Sequence, residues 1–520
     1  MHATDLPHPE LNLTPAEAEA RFGELQDKLV PLWKSIQTFN QDEQTIVIVP
    51  SMNIDLDMES SELQAYEERF LFLLLLLRQP RARVIYVTGQ PINPAVIDYY
   101  LDLLPGVIAS HAKKRMFLVS PLDASLRSLS LKLLERPRLI EHIRALIPNR
   151  DRAHLVPYNT TILERDLSLQ LGIPMYASDP RLFPLGTKSG ARRLFMEEGV
   201  RHPLGMENLT SLGDVEAAVA HMRQQKPGTR SEQMLIKLNE GVSGEGNALV
   251  DLAGIPGPGE PGEAEAISAR LREMKFELAG IDFDTYVGKL NRRGGVVEER
   301  IVGTDFRSPS CQLRVTPLGK MEILSTHDQV LGGPSGQSYL GCRFPANPEY
   351  APLITREAAK VGQRLAKEGV IGRFALDFVV VRKEDGSWDP YAIEINLRKG
   401  GTTHPFLTLQ FLTNGSYNGE TGVFTTPRGA QKCFVASDHE ADTLYRVFTP
   451  DDLFDIVARH DLHFDQSRQT GVVLHMLSAL GDHGAMGLTA VADSQEEADA
   501  LYKKAVRIFK EEAEAALKYH

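Results

Sequence analysis

The sequence predicts a protein of α/β and α+β class, with an open parallel-sheet domain first, a two-subdomain α+β region next and a small C-terminal α+β unit. Short β-branched runs alternate with helical patterns in the first third, long strand candidates fill the middle, and both patterns mix again in the tail. The 520 residues are enough for about three to four domains. We place the bounds at residues 1–39 (helical segment), 40–185 (open sheet), 186–428 (α+β region) and 429–520 (C-terminal unit).

Composition excludes several classes of protein. The chain carries 57 Lys and Arg against 69 Asp and Glu, a net charge of −12, and has no basic run, so nucleic acid is not an expected partner. Cys311, Cys342 and Cys433 have no paired spacing, which argues against a disulfide framework or a zinc cluster. Residues 70–77 form the most apolar run, far shorter than the roughly 20 residues that span a bilayer. With no secretory signal at the N-terminus, we expect a cytoplasmic protein with no membrane span.

The first third predicts helices and a parallel sheet. A helical pattern covers residues 15–39, with Thr14 as its N-cap. A second helix, with Ser61 and Gln64 as a capping box, is expected to end near Arg78. Three short, β-branched runs that end in turn residues predict buried parallel strands at residues 45–50, 83–88 and 116–120. No dinucleotide-type or Walker-type glycine motif is present, so any nucleotide must bind elsewhere.

The strongest chemical signal is a hairpin, FALDFVVVRKEDGSWDPYAIEINLRKGG, that turns at Asp385 and Gly386. Asp377 interrupts one apolar strand, while Glu394 and Asn396 lie two apart on the other and so share a face. Carboxylate and amide oxygens are the ligands that Mg²⁺ prefers, and two ions are feasible. The alternative is that both carboxylates face solvent on an edge strand, but burying them without a partner is costly. The pattern therefore favours a metal site.

Three weaker elements precede the hairpin. Lys188 stands before a helical pattern, and Lys237 ends a short strand that leads into the glycine-rich loop GVSGEG. Such a loop lets backbone N–H groups approach an anion, although a plain hairpin turn explains it equally well. The third element, GVVEERIVGTDFRSP, contains two glutamates and an aspartate, and on its own it is equally well explained as an exposed acidic edge.

Taken in chain order, these elements resemble the ATP-grasp superfamily over roughly residues 186–410, with the open sheet as the preceding pre-ATP-grasp domain. The resemblance implies that Lys188 and Lys237 contact ATP phosphates and that the backbone of residues 298–301 faces adenine. The ATP-binding set it implies is Lys188, Lys237, Gly241, Ser243, Gly244, Gly246, Glu298, Glu299, Ile301 and Asp305, with Asp305 near the ribose. The metal set it implies is Asp377, Glu394 and Asn396, holding two Mg²⁺ ions for which Mn²⁺ could substitute.

Within the superfamily, the segments SPSCQLRV, DQVLGGPSGQSYLGCRFP and EINLRKGGTTHP resemble the pheganomycin-type peptide ligases. That resemblance implies an ATP-dependent carboxylate–amine ligase that forms an amide through an acyl phosphate and releases ADP and phosphate. Arg398, two residues beyond Asn396, is expected to stabilise the oxyanion. Arg314 is a second candidate, for which a plain surface cation is an equal alternative.

Other side chains are weaker candidates. The segment from His327 to Gly341 is glycine-rich and is the expected substrate lid, from which Gln329 or His327 could reach substrate. A structural role is favoured for His327 and for His404. The tail histidines have no ligand spacing, so no zinc site is predicted.

Two alternatives to the ligase stay open at this point. One is an ATP-grasp phosphotransferase, and the other is a non-catalytic ATP-binding regulatory protein. As partners we expect small-molecule carboxylate and amine substrates, with no nucleic acid or membrane, and a homodimer because dimers are the commonest closed assemblies.

Overall fold

The computed structural model describes residues 13–37, 43–53, 59–225, 232–241, 244, 246–278, 280–332 and 338–518. The α/β and α+β class predicted from the sequence is confirmed. No helix among these residues has the length and apolarity needed to cross a membrane.

The first part of the chain forms the predicted open parallel sheet. Its strands pair in the order β3-β2-β1-β4, and they span Gln44–Val49 (β1), Ala82–Val87 (β2), Met116–Val119 (β3) and Ala153–Pro157 (β4). The three predicted parallel strands are present, but only β1 and β2 are buried as expected, while β3 is a half-exposed edge strand. Strand β4 was not predicted because AHLVP is short, carries a histidine and ends in proline. The domain that contains this sheet closes one end of the cleft described below.

Helices cover both faces of this sheet. They span Pro15–Asp27 (α1), Leu29–Gln37 (α2), Ser60–Glu68 (α3), Pro94–Asp102 (α4), Ala109–Lys113 (α5), Leu129–Leu134 (α6), Pro137–Ala145 (α7) and Ile162–Leu171 (α8), with 3₁₀ turns at Leu71–Arg78, Arg150–Arg152 and Pro180–Gly186. Thr14 is the N-cap of α1, as predicted, but the expected helix is divided in two at Lys28. The helix predicted to reach Arg78 is wrong in length: α3 ends at Glu68, and its capping box uses Glu59 and Glu62.

A second, antiparallel sheet of five strands follows. Its order is β5-β9-β6-β7-β8, with strands at Gly205–Leu209 (β5), Gln233–Leu238 (β6), Asn247–Asp251 (β7), Lys275–Phe276 (β8) and Gly295–Glu299 (β9). The helices of this region span Lys188–Glu197 (α9), Leu212–Gln225 (α10), Glu263–Arg272 (α11) and Phe283–Arg293 (α12). Thr187 caps α9 by accepting the Gly190 N–H at 3.0 Å. A Cβ on Gly190 would lie 1.9 Å from the Pro184 carbonyl oxygen, so this turn requires glycine.

The largest sheet has nine antiparallel strands. They span Phe306–Arg307 (β10), Pro309–Val315 (β11), Met321–Gly332 (β12), Ser338–Phe344 (β13), Gly372–Arg382 (β14), Trp388–Asn396 (β15), Cys433–Ala441 (β18), Gly471–His475 (β19) and Ala485–Ala492 (β20). The order is β10-β14-β11-β12-β13-β18-β20-β19, with β15 also paired to β14. Strand β18 pairs with β13, so the C-terminal unit extends this sheet. The domain bounds given from the sequence, at residues 39, 185 and 428, stay predictions.

The remaining elements lie around this sheet. A separate hairpin joins Ser416–Asn418 (β16) and Val423–Thr425 (β17), and the helices span Ala351–Lys367 (α13), Thr403–Thr413 (α14), Pro450–Arg459 (α15), Leu480–His483 (α16) and Gln495–Lys518 (α17), with 3₁₀ turns at Thr443–Val447 and Leu477–Ala479. A single apolar core connects the N-terminal domain to the large sheet and the tail. In that core, the rings of Phe72 and Phe411 stack with their centroids 6.3 Å apart. The N-terminal domain is therefore packed firmly against the rest of the molecule.

Candidate active site

A cleft lies between the five-stranded and nine-stranded sheets, and the N-terminal domain closes one end. Its volume is about 290 Å³. It brings together side chains from strands that are far apart in the sequence, including β6, β9, β14 and β15. Twelve of the predicted site residues line it: Lys188, Lys237, Gly241, Gly244, Gly246, Glu298, Glu299, Ile301, Asp377, Glu394, Asn396 and Arg398.

The predicted metal set converges inside this cleft. Asp377 lies opposite Glu394 in the β14–β15 pairing, next to a bulge in the register. The Asn396 amide donates to Asp377 Oδ2 at 3.0 Å and to Glu394 Oε1 at 2.9 Å. Burial raises the pKa of Asp377, although hydrogen bonds and the charges of Lys188 and Arg398 oppose that rise. Two carboxylates and one amide within hydrogen-bonding distance form a donor set that fits a hard divalent cation.

Two lysines bring positive charge to the same region. The Lys188 ammonium forms an ion pair with Glu394 Oε2, and its side chain is 12% exposed. Burial lowers the pKa of Lys188 to about 7, with a further contribution from Lys237. Lys188 begins α9, where its own N–H donates to the Asn239 carbonyl oxygen at 3.2 Å. The helix start therefore holds this lysine directly above the acidic set.

Lys237 is held by a buried ion-pair network. Its Nζ lies 2.7 Å from Glu298 Oε2, and Arg192 Nη1 lies 2.7 Å from Glu298 Oε1. Burial alone would raise the pKa of Glu298, but Lys237 and Arg192 lower it overall. One carboxylate thus accepts from two cations, and Arg192 also pairs with Glu207 at 3.3 Å. The Glu298 side chain orients Lys237, a role that the sequence did not reveal.

Arg398 lies just beyond β15, in the predicted position next to the acidic set. Its Nη2 donates to Asn396 Oδ1 at 3.2 Å, and its Nη1 donates to the Tyr158 hydroxyl at 3.4 Å. Tyr158 follows β4 of the N-terminal sheet, so this contact connects the N-terminal domain to the reactive region. Burial raises the pKa of Tyr158, but Arg398 and Arg69 outweigh it and lower the pKa.

The opposite part of the cleft is apolar. The N–H groups of Glu299 and Arg300 donate to the carbonyl oxygens of Leu204 and Gln233, so strand pairing occupies them. Ile301 lies just past β9 and lines the cleft. Pro203, Leu235, Phe306, Leu331, Phe378 and Ile393 surround it with apolar surface. An apolar slot next to two lysines suits a flat base joined to phosphates.

Two predicted residues lie outside the cleft lining. Asp305 is outside the cleft lining and pairs with Arg307 at 2.9 Å. Arg314 is also outside the lining: it pairs with Glu322 and covers the Trp33 ring at 5.4 Å. Arg314 lies four residues along β11 from Ser310, which is the residue on that strand that faces Asp377. Neither Asp305 nor Arg314 therefore lines the cleft, and their roles stay predictions. Ser243 lies outside the described residues.

The described part of the segment expected to form the lid lies in two strands. His327–Gly332 belongs to β12 and Ser338–Gly341 to β13, while residues 333–337 lie outside the described residues. His327 is fully buried, hydrogen-bonded to Ser325 at 2.8 Å, and absent from the cleft lining. Burial lowers the pKa of His327 to about 3. Gln329 does line the cleft and donates to Asp377 Oδ1 at 3.1 Å.

A cleft between two α+β sheets, lined by two lysines and by the acidic set, is the arrangement of an ATP-grasp protein. The chain belongs to the ATP-grasp family of ATP-dependent carboxylate–amine ligases. It is 30% identical over 451 residues to the L-propargylglycine–L-glutamate ligase of Streptantibioticus cattleyicolor, and the match covers 84% of this chain and 88% of that protein. Family models described as "IQCH-like, ATP-grasp" and "PGM1 C-terminal domain" match residues 273–420 and 452–505.

Solved structures show the same fold at low identity. The biotin carboxylase of Campylobacter jejuni aligns with a TM-score of 0.52 at 14% identity, over 89% of this chain and 91% of that one. The N5-carboxyaminoimidazole synthetase of Staphylococcus aureus, complexed with ADP, aligns with a TM-score of 0.51 at 10% identity, over 90% of this chain and 99% of that one. The architecture is therefore common to enzymes of diverse sequence.

Proposed function

We propose that the protein is an acid–amino-acid (peptide) ligase, which activates one carboxylate as an acyl phosphate and joins it to an amine. The convergence of Asp377, Glu394, Asn396, Lys188 and Arg398 in one cleft carries this proposal. The ligase of Streptantibioticus cattleyicolor supports it, because its name states that it joins two amino acids.

The acidic set would hold Mg²⁺, and we propose two ions for which Mn²⁺ can substitute. Asp377 and Glu394 supply charged oxygens, and Asn396 can offer its amide oxygen once the amide turns over. When bound, the metal neutralises charge that develops on the transferring phosphoryl group. Because Lys188 pairs with Glu394, a metal at Glu394 would release this lysine toward the phosphates.

In the first step, a carboxylate oxygen of the acid attacks the γ-phosphorus of ATP. That P–O bond forms while the bond to the ADP oxygen breaks, and ADP leaves with the electron pair. Phosphoryl transfer needs mainly positioning and charge neutralisation. Lys188 and Lys237 supply fixed positive charge, and Glu298 holds Lys237 in place.

In the second step, the amine nitrogen attacks the acyl carbon. An acceptor that arrives as an ammonium first gives one proton to solvent. The C–N bond then forms, the C–O bond to phosphate breaks, and phosphate leaves with the electron pair, while a second amine proton passes to phosphate or solvent. Negative charge develops on the acyl oxygen before phosphate departs. Arg398 adjoins the acidic set and can donate to that oxygen, which a positioned guanidinium suits well.

The proposal includes small-molecule acid and amine partners and a cytoplasmic location. Cys311, Cys342 and Cys433 are free thiols, as is usual in a reducing compartment. A homodimer stays a prediction based on frequency alone.

Glu394→Gln tests the assigned chemistry, because the substitution keeps the shape of the side chain and removes a charged ligand. We expect ADP release to fall about 100- to 1,000-fold while the thermal unfolding midpoint is retained. The assay combines ATP, Mg²⁺ and pairs of amino acids and identifies products by mass. Asp389→Asn is the matched control, since Asp389 is on the same strand but pairs with Arg201 outside the cleft. Turnover by Glu394→Gln at the wild-type rate would contradict the metal assignment.

A further inference from the structure

The cleft continues past Arg398 into a chamber that the proposed phosphoryl transfer does not use. We call it the inner chamber and define it by six lining residues: Tyr66, Arg69, Tyr158, Tyr339, Thr402 and Asp438. They come from the end of α3, the loops after β4 and β15, and strands β13 and β18. The N-terminal domain and the C-terminal unit thus both contribute to this part of the cleft.

The inner chamber contains a buried ion pair. Arg69 Nη1 lies 2.8 Å from Asp438 Oδ2, and the two side chains are 5% and 3% exposed. Taking two charges out of water is costly, and such a pair does not by itself stabilise a fold. A guanidinium has five N–H donors and a carboxylate has several acceptor positions, so this pair retains capacity for a ligand.

Surrounding side chains fix the orientation of both charges. The Arg69 guanidinium lies 4.8 Å from the centre of the Tyr66 ring and 5.4 Å from that of Tyr158. The other Asp438 oxygen lies 3.1 Å from His404 Nε2. Burial raises the pKa of Asp438, but His404 and Arg69 outweigh it and hold that pKa well below its ordinary value. The chamber therefore presents one fixed cation beside one fixed anion.

We propose that the inner chamber binds the acceptor as a zwitterionic α-amino acid, with its carboxylate on Arg69 and its amino group on Asp438. This inference rests on the proposed ligase function. A ligand with a single charge would engage only one member of the ion pair, whereas a zwitterion complements both and adds no net charge to a buried site.

The assignment to the acceptor follows from its chemistry. The acid that is activated must place its carboxylate at the phosphoryl group, near Arg398 and the acidic set. The acceptor instead keeps its own carboxylate free throughout the reaction and needs a separate cation for it. Arg69 is that cation, and Tyr158, which contacts both Arg69 and Arg398, connects its subsite to the reactive region.

His404 and His475 act behind Asp438. They lie outside the cleft lining, and their Nε2 atoms are 3.4 Å apart. His475 is held in turn by Thr489, whose hydroxyl lies 3.3 Å from His475 Nε2. We assign both histidines as positioning residues for Asp438. Together with Asp438 they also have the spacing of a metal site, and the experiment below includes that outcome.

The test compares each proteinogenic L-amino acid with its α-carboxamide as acceptor. With wild-type enzyme we expect kcat/KM for the free acid to exceed that for the amide by about 50-fold. Arg69→Met should lower the value for the free acid by a similar factor and leave the amide unaffected, so that the preference disappears. Arg343→Met is the matched control, because Arg343 pairs with Asp499 at an exposed site. A preference retained in Arg69→Met would overturn the inference.

Two further measurements keep the inference testable on its own. Hydroxylamine traps an acyl phosphate without any acceptor, so hydroxamate formation should be the same in Arg69→Met and wild type; if wild type forms none, the ligase proposal itself fails. Calorimetric binding of the free acid and its amide needs no turnover, and equal affinities in wild type would overturn the subsite.

If Arg69→Met does not fold, Arg69→Lys should show an intermediate preference. The subsite would also be overturned if the wild-type enzyme contained one zinc ion per chain and His475→Ala had lost it, because Asp438 would then be a metal ligand.

Discussion

Charged side chains in the cleft occur in pairs. Lys188 contacts Glu394, Lys237 contacts Glu298, and Arg69 contacts Asp438. Each lysine thus has a partner before any phosphate arrives. Binding of a nucleotide and a metal must redistribute these contacts, so single charge changes should affect binding more than folding.

Lys237→Met removes one phosphate-facing charge and leaves Glu298 paired with Arg192. We expect ATP affinity to fall about ten- to hundredfold, because a charge-assisted hydrogen bond is worth about 1.5–3 kcal/mol. Calorimetry with a non-hydrolysable ATP analogue measures this. Lys275→Met, at an exposed position on β8 of the same sheet, is the control. Equal ATP affinity in Lys237→Met and wild type would refute the role of Lys237.

Individual side chains differed in how well the sequence revealed them. Asp377 and Glu394 could be predicted because each interrupts an apolar strand, where burying a carboxylate is costly unless a cation or hydrogen bonds stabilise it. Arg69, Arg192 and Asp438 could not, because each stands in an ordinary polar context and gains its role from a distant partner. The sequence could not show that Arg314 lies away from the cleft, because a strand arginine has the same local pattern at either end of its strand.

At the scale of elements, α3 is fixed by carboxylates that are buried in its last turn. Glu68 accepts the Ser478 N–H at 3.0 Å, which joins α3 to the 3₁₀ turn Leu477–Ala479. Burial raises the pKa of Glu68 to about 7, although hydrogen bonds from Ser478 oppose that rise. The link between α3 and the C-terminal unit should therefore depend on pH.

The sign of this dependence follows from the raised pKa. Below the pKa of about 4.3 that Glu68 has in the unfolded chain, this carboxyl is protonated in both states. As the pH rises from there through the folded-state pKa of about 7, the unfolded chain ionises first, so the stabilising contribution of Glu68 is lost. When the pH is raised from 5.5 to 8, we expect the free energy of unfolding of Glu68→Gln to increase by about 2 kcal/mol relative to that of the wild type. Thermal unfolding of both proteins at the two pH values measures this. Glu141→Gln, at an exposed position on α7, should show no such change, and a pH-independent difference for Glu68→Gln would contradict the assignment.

Elements with strong local patterns were predicted and others were not. The runs at β1 and β2 were predicted because buried strands have a composition of their own, and the shorter apolar run at β3 forms the half-exposed edge strand. The helix expected to reach Arg78 ends early, since the apolar run Leu71–Arg78 forms a 3₁₀ turn that is buried on nearly all sides. Packing overrides local propensity there.

At the scale of the whole molecule, the sheet order is the least predictable feature. Strand β18 of the C-terminal unit joins the large sheet beside β13, and apolar periodicity specifies the face of a strand but not its partner. The family resemblance predicted the two clasping sheets and the cleft between them. It did not predict that α3 and β18 would meet to form the inner chamber.

The central claim is that ATP activates a carboxylate as an acyl phosphate, and oxygen transfer tests this most directly. The donor acid carries ¹⁸O in both carboxylate oxygens, and the phosphate released during condensation is analysed by mass. The account predicts one ¹⁸O in each phosphate and one retained in the amide, because the attacking carboxylate oxygen leaves with the phosphoryl group. Phosphate without ¹⁸O, with a condensed product present, would contradict it.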